Sequence, residues 1–329
     1  MERVRWGVLS TSKFGTEVAI PAMQKGKWPE VLAIASRELE RAQAAAQRLG
    51  IPRAYGSYEE LLADPEVEAV YNPLPNHLHV PWSIRALEAG KHVLCEKPIA
   101  RTALEAGQLL EAADAHPGLQ VMEGFMYRFH PQWERTRALV QEGIIGELRA
   151  VHVTFSFVNE NPADIRNRVE AGGGGILDIG CYVVSVCRWL FAAEPRRVVA
   201  TLELDPRFAT DRQASAILEF DHGIGTFTVA TQLAPYQRVS VLGTRGWIEV
   251  EIPFNPPPDQ PSRVFTRSGA ELAELVIETA DQDTIQADRF SEAVLGQRPL
   301  SSPLTDAVAN MKVIDAVFAS AAGGDWAEC

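Results

Sequence analysis

Cysteine is scarce in this chain: four among 329 residues, at positions 95, 181, 187 and 329. Their spacing suits neither a zinc site nor the disulfide framework of a secreted protein, so buried free thiols are expected. Basic charge is in deficit as well, with 31 Lys and Arg against 43 Asp and Glu and a formal net charge of −12. That balance opposes nucleic-acid and anionic-membrane partners, and any phosphate must be captured by a local site. No run approaches the roughly 20 uninterrupted apolar residues of a membrane span. The opening Met1-Glu2-Arg3-Val4-Arg5 leads into a strand rather than a signal peptide, and a soluble, cytoplasmic protein is expected. Internal repeats and low-complexity tails are missing too.

What is present is enough apolar material, 46% of the residues, to build two cores. Up to about residue 124, short apolar runs alternate with longer helical patterns, as in a parallel sheet covered by helices. The expected strands are 4–9, 31–36, 69–72, 93–95 and 119–123. Ser57-Tyr58-Glu59-Glu60 and Thr102-Ala103-Leu104-Glu105 read as capping boxes opening two of the helices. After residue 125 the texture turns strand-like, at 148–158, 197–204, 214–220, 224–231, 239–242 and 246–252, with Asp221-His222-Gly223 as a turn. A mostly antiparallel open sheet is expected there. A proline-rich loop at 253–261 follows, and Ser302-Pro303 opens a final helix reaching about Ala321. The fold class expected is α/β, with a dinucleotide-binding domain at 1–124 and an α+β domain at 125–329.

The first strand ends in Ser10-Thr11-Ser12-Lys13-Phe14-Gly15. A dinucleotide fold places a tight turn and a helix N-terminus there to hold pyrophosphate. Ser10 and Ser12 stand where the first two glycines of G-x-G-x-x-G belong, and only Gly15 remains. Small hydroxyl residues still permit close backbone approach. The second strand ends in Ser36-Arg37, with Arg41 beyond it, rather than in the carboxylate that binds NAD ribose. A carboxylate would repel a 2′-phosphate, whereas Ser and Arg bind it, so NADP is expected, with NAD use left open. The third strand delivers Asn72-Pro73-Leu74-Pro75-Asn76-His77 to the carboxyl edge, where ligands bind in such sheets. His77 and His79, without nearby Cys or acidic ligands, do not make a zinc site, and no metal is expected.

The fourth strand ends in Glu96-Lys97-Pro98, a charged pair that is costly to desolvate at a buried strand end and therefore calls for a function. Four glycines at 172–175 lead into Ile176-Leu177-Asp178-Ile179-Gly180-Cys181-Tyr182. Helical spacing puts Asp178, Tyr182 and Ser185 on one face of an otherwise apolar helix.

With these motifs the chain resembles the glucose-fructose oxidoreductase, inositol dehydrogenase and rhizopine-catabolism (Gfo/Idh/MocA) family over essentially its whole length. The marks are Glu96-Lys97-Pro98, Pro-x-x-x-His at Pro73 to His77, and the glycine-rich run into Asp178 and Tyr182. The segment 123–131 and Arg166 belong to the same resemblance. Family members with inositol-dehydrogenase character carry Asp-x-x-x-His in this helix. Tyr182 instead resembles glucose-fructose oxidoreductase, dihydrodiol dehydrogenase and NADP-linked xylose dehydrogenases. The resemblance implies Lys97, Asp178 and Tyr182 as the catalytic set. It implies Arg128 and Arg166, with that set, as substrate contacts, and a homodimer or homotetramer formed through the second-domain sheet.

The expected reaction is hydride transfer between nicotinamide and a sugar-like alcohol or carbonyl, with Tyr182 handling the proton and Lys97 stabilising its phenolate. Two other readings compete. One is glycoside cleavage with the nicotinamide as a temporary hydride store; the other is a noncatalytic NADP-binding regulator. A nucleophilic hydrolase is disfavoured because no G-x-S-x-G elbow is present.

Overall fold

The computed structural model describes residues 2–329. The chain forms two compact units, Met1–Met126 with Asp281–Val308, and Tyr127–Ala280 with Ala309–Cys329. Residues 281–308 thus return to the first unit, whereas the sequence pattern assigns them to the second domain.

The first unit is built on six parallel strands: β1 (Val4–Leu9), β2 (Pro29–Ala35), β3 (Arg53–Tyr55), β4 (Ala69–Asn72), β5 (His92–Cys95) and β6 (Val121–Glu123). Their order is β3-β2-β1-β4-β5-β6, so the chain reverses direction across the sheet between β1 and β4. That switch point opens the crevice where ligands bind in this fold. All four residues of β4 are buried, as expected of a parallel strand covered on both faces. The helix Gln282–Val294 packs on this sheet. Trp6 of β1 is fully buried, donates to Ser291 Oγ (3.2 Å) and lies 5.3 Å from the Phe290 ring.

Both capping boxes form in part. Glu60 N–H donates to Ser57 Oγ, and Glu105 N–H donates to Thr102 Oγ1. The reciprocal carboxylate bonds reach one residue further back, to the N–H groups of Gly56 and Arg101.

The second unit holds nine strands: β7 (Leu148–Val158), β8 (Arg197–Leu204), β9 (Asp211–Phe220), β10 (Gly223–Ala230), β11 (Gln232–Gly243), β12 (Gly246–Val250), β13 (Ser262–Ser268), β14 (Glu271–Ile277) and β15 (Ala327–Glu328). Only β7 and β10 pair in parallel; every other neighbour is antiparallel. Residues along β9 and β12 alternate between buried and less buried, the pattern of a sheet with one face on a core. The hairpin β13–β14 lies beyond the sequence-expected strands.

The stretch Val169–Phe191 has the length and apolarity of a membrane span, but 89% of its most apolar window is buried within this fold. All four cysteines are free. Cys95, Cys181 and Cys187 are buried as expected, but Cys329 is exposed because it is the terminal residue beyond edge strand β15.

Candidate active site

In the first unit, the β1 turn keeps the backbone of a glycine loop without its glycines. Ser10 adopts φ +149°, a conformation that ordinarily favours glycine. Ser12 N–H donates to Ser10 Oγ (2.9 Å), and Gly15 N–H to Ser12 Oγ (3.2 Å). The two hydroxyls therefore satisfy backbone donors inside the turn while each retains its own hydrogen for a ligand. A Cβ on Gly15 would lie 2.9 Å from Ser12 Oγ, so the turn is already close-packed. Thr11 is half-buried and Phe14 exposed. Ser36 is buried just past β2, whereas Arg37 and Arg41 are exposed. Arg41 pairs with Glu38 at 2.8 Å, which leaves Arg37 as the more available cation. These residues fit a dinucleotide carrying an extra phosphate: a tight turn into a helix, hydroxyl donors, and no carboxylate at the end of β2.

The Glu96-Lys97-Pro98 segment is pinned at several points. Tyr71 donates to Glu96 Oε1 (2.6 Å), Glu96 N–H to Asn72 O (3.1 Å), and Ile99 N–H to Glu123 Oε1 (2.7 Å). A Cβ on Gly124 would approach Cys95 O and Glu96 Oε1 to 3.2 and 3.3 Å, so the β6 end closes tightly over the motif. The Lys97-Pro98 peptide is cis. Burial and the Glu96 carboxylate raise the Tyr71 phenol well above its ordinary pKa. Burial, with the Glu96 charge second, pushes Asp283 on the returning helix up to about 7.

Asn72 is fully buried, and its side chain organises the turn. It donates to His79 O (3.0 Å) and Ser83 Oγ (3.1 Å) and accepts from Leu74 N–H (3.4 Å). Pro73 and Leu74 are buried and Asn76 and His77 half-buried. His79 packs its ring against this turn. Its ring nitrogens lie 2.7 Å from Pro98 O and 2.7 Å from Leu74 O. Burial pulls its pKa down to about 4, and the neutral ring donates its single N–H to one of these two carbonyls. Among the described residues no group of three or more His, Cys, Asp or Glu could hold a metal.

In the second unit, the segment after the glycine run opens with a π-helical turn, Ile176–Gly180, before the α-helix Cys181–Phe191. The wider turn departs from the regular 3.6-residue spacing just before Tyr182. Asp178 turns to Arg166, whose Nε donates to its Oδ2 at 2.8 Å. Arg166 is braced in turn by Asp164, and the Asp178 charge raises its pKa. Ser185 instead meets Tyr127 OH (2.7 Å) and Arg128 Nη2 (2.6 Å). Tyr182 is buried with its ring 5.3 Å from Phe254, 5.8 Å from Tyr127 and 6.1 Å from Phe155.

Asp211, which opens β9, was not legible as a site residue. Its Oδ2 accepts from Ile176 N–H at 2.6 Å and so caps the turn that carries Asp178. Burial, with the Asp178 charge as a lesser cause, pushes its carboxyl up to about 7. Gly174 adopts φ +115°, and a Cβ there would lie 1.9 Å from Asp211 Oδ1. Glycine is required at this position on both counts.

Residues 4–125 match the oxidoreductase family with an NAD-binding Rossmann fold, and residues 133–249 match the GFO/IDH/MocA C-terminal domain. An uncharacterized oxidoreductase of Rhizobium meliloti is 47% identical over 99% of both chains. The chain belongs to the Gfo/Idh/MocA oxidoreductase family. Another member, the D-xylose 1-dehydrogenase (NADP(+)) 2 of Haloferax volcanii, is 37% identical over 97% of this chain and 98% of its own. Among solved family structures, a 3-ketoreductase from Actinomadura kijaniata in complex with NADP and TDP-benzene superposes with a TM-score of 0.91. It is 31% identical and covers 97% of this chain and 98% of its own. That ketoreductase has also been solved with a tyrosine changed to phenylalanine and with a lysine changed to alanine. Family membership makes this chain an oxidoreductase with an NAD(P)-binding Rossmann unit.

Proposed function

We propose that this protein is an NADP-dependent dehydrogenase or reductase acting on a hydroxyl or carbonyl carbon of a sugar-like substrate, with Tyr182 exchanging the proton. Bound NADP supplies the hydride acceptor or donor. Tyr182 exchanges the hydroxyl proton of the reacting carbon. A phenol with an ordinary pKa of about 10 needs nearby positive charge to do so near neutrality, and Lys97 supplies it. Asp178 serves the substrate side together with Arg166: the ion pair fixes the guanidinium, whose remaining N–H groups orient sugar hydroxyls. Arg37 and Ser36 receive the 2′-phosphate.

The observation that carries this reading is the anchoring of Lys97. Tyr71, Asn72 and Glu123 all bond the backbone or carboxylate of residues 96–99, an arrangement that orients a lysine far more closely than a strand end requires. The xylose dehydrogenase and ketoreductase relatives, whose names give NADP and sugar chemistry, support the same class.

The test is a spectrophotometric screen of NADP(H) and NAD(H) across aldoses, keto-sugars, sugar nucleotides and dihydrodiols. Net formation or consumption of NADPH, with NADP preferred, is expected for at least one class. Cleavage of a glycoside with cofactor that never exchanges and no net NADPH change would overturn the reading.

A further inference from the structure

We infer that Asp211 is a positioning residue: its buried carboxyl fixes the glycine turn that bridges the backbones of Arg166 and Asp178, and so sets the ion pair offered to the substrate. The inference rests on the proposed role of that pair on the substrate side.

Gly174 is the bridge. Its N–H donates to Arg166 O (2.9 Å), and its carbonyl accepts from Asp178 N–H (3.1 Å). The two backbones joined in this way carry the side chains that meet at 2.8 Å, Arg166 Nε on Asp178 Oδ2. Asp211 comes from a separate element, as the first residue of β9, and is 5% exposed. Its Oδ1 fills the space beside Gly174, and its Oδ2 accepts from Ile176 N–H at 2.6 Å. On the other side, Gly173 lies directly against Arg166 O, so neither glycine leaves room for a side chain. The turn is thus packed between the Arg166 backbone and the Asp211 carboxyl. Ile176 N–H lies in the first turn of its helix, where no intrahelical carbonyl is available. An apolar residue at 211 would remove its acceptor. Asp164 steadies the guanidinium from within the Arg166 loop. Asp211 acts on the other partner, through the turn that carries Asp178.

Asp211→Ala removes the acceptor, whereas Asp211→Asn keeps an oxygen for Ile176 N–H. Loss of one hydrogen bond corresponds to about a fivefold effect. In Asp211→Ala, KM for the substrate found in the cofactor screen should rise about fivefold or more, with kcat and KM for NADP within about twofold of native. Hydrogen exchange at the Asp178 amide should accelerate in the same variant without cofactor. Asp211→Asn should restore both the substrate KM and the exchange rate. Asp211→Ser, whose hydroxyl ends one bond short of Oδ2, makes the same test with a smaller cavity should the alanine variant not fold. Lower thermal stability with substrate KM unchanged would overturn the proposal. Parallel rises in KM for substrate and NADP would do so too, as would an Asp211→Asn variant as impaired as Asp211→Ala. Arg166→Ala is the control on the underlying reading. An unchanged substrate KM there removes the ion pair from substrate binding and contradicts its proposed role, while exchange at the Asp178 amide still decides whether Asp211 holds the turn.

Discussion

Asp211 gives the account a pH dependence with a definite sign. Its carboxyl caps the turn bearing Asp178, and burial raises it from an ordinary 3.8 to about 7. A raised carboxyl pKa means that the folded chain binds this proton more tightly than the unfolded chain. The resulting stabilisation is complete below pH 3.8 and is lost as pH rises through about 7. At 1.36 kcal/mol per tenfold change in proton affinity, the shift corresponds to ~4 kcal/mol. Asp211→Asn retains an oxygen to accept from Ile176 N–H but cannot ionise. Urea unfolding of both proteins from about pH 4 to about pH 8 isolates the term, because every other titrating group is shared. The stability of the native protein relative to Asp211→Asn should fall by ~4 kcal/mol across that range, with most of the change complete by pH 7. Parallel stability curves would refute the burial argument. A difference growing in the opposite direction would show that the carboxylate, not the acid, is the favoured form.

Two further outcomes follow from the same geometry. Arg37→Asp removes the more available cation at the end of β2 and introduces the charge that repels a 2′-phosphate. The NADP-over-NAD ratio of kcat/KM should fall by about tenfold or more, and an unchanged ratio would place the phosphate elsewhere. Gly174→Ala forces a Cβ into Asp211 Oδ1 at a positive φ, and should destabilise the protein by ~2 kcal/mol or more in thermal or urea unfolding. A fully stable variant would contradict the tight cap.

Much of this arrangement was legible in the sequence where burial is two-sided. Strands β1, β4 and β5 are apolar runs because helices cover both faces, and Lys97 stood out as a charge at the end of such a run. The hairpin β13–β14 was illegible for the converse reason. Leu272 and Val276 of β14 are exposed, with Glu271 and Glu274 on the same strand, so its pattern marks no buried face. The helix Gln282–Val294 escaped notice because its buried face includes Gln282, Gln286 and Ser291, which weakens the apolar period. Asp178 and Tyr182 were visible as a pair, but the π turn that carries Asp178 and the Arg166 bond to its carboxylate were not. No periodic reading contains that turn. His79 was set aside as half of a weak metal pair, since the two carbonyls beside its ring come from loops joined only in the folded sheet. Asp211 is a lone acid opening a strand, and nothing local distinguishes it from a turn residue.

The central claim is that Tyr182 carries the proton. The most direct measurement compares Tyr182→Phe with the native protein in steady-state turnover and in NADP binding, using a substrate identified by the cofactor screen. Positioned acid-base groups contribute about 100- to 10,000-fold. Turnover should therefore fall by at least about 100-fold while the dissociation constant for NADP changes by less than about threefold. Turnover within a few-fold of the native rate, with the fold intact, would contradict the assignment.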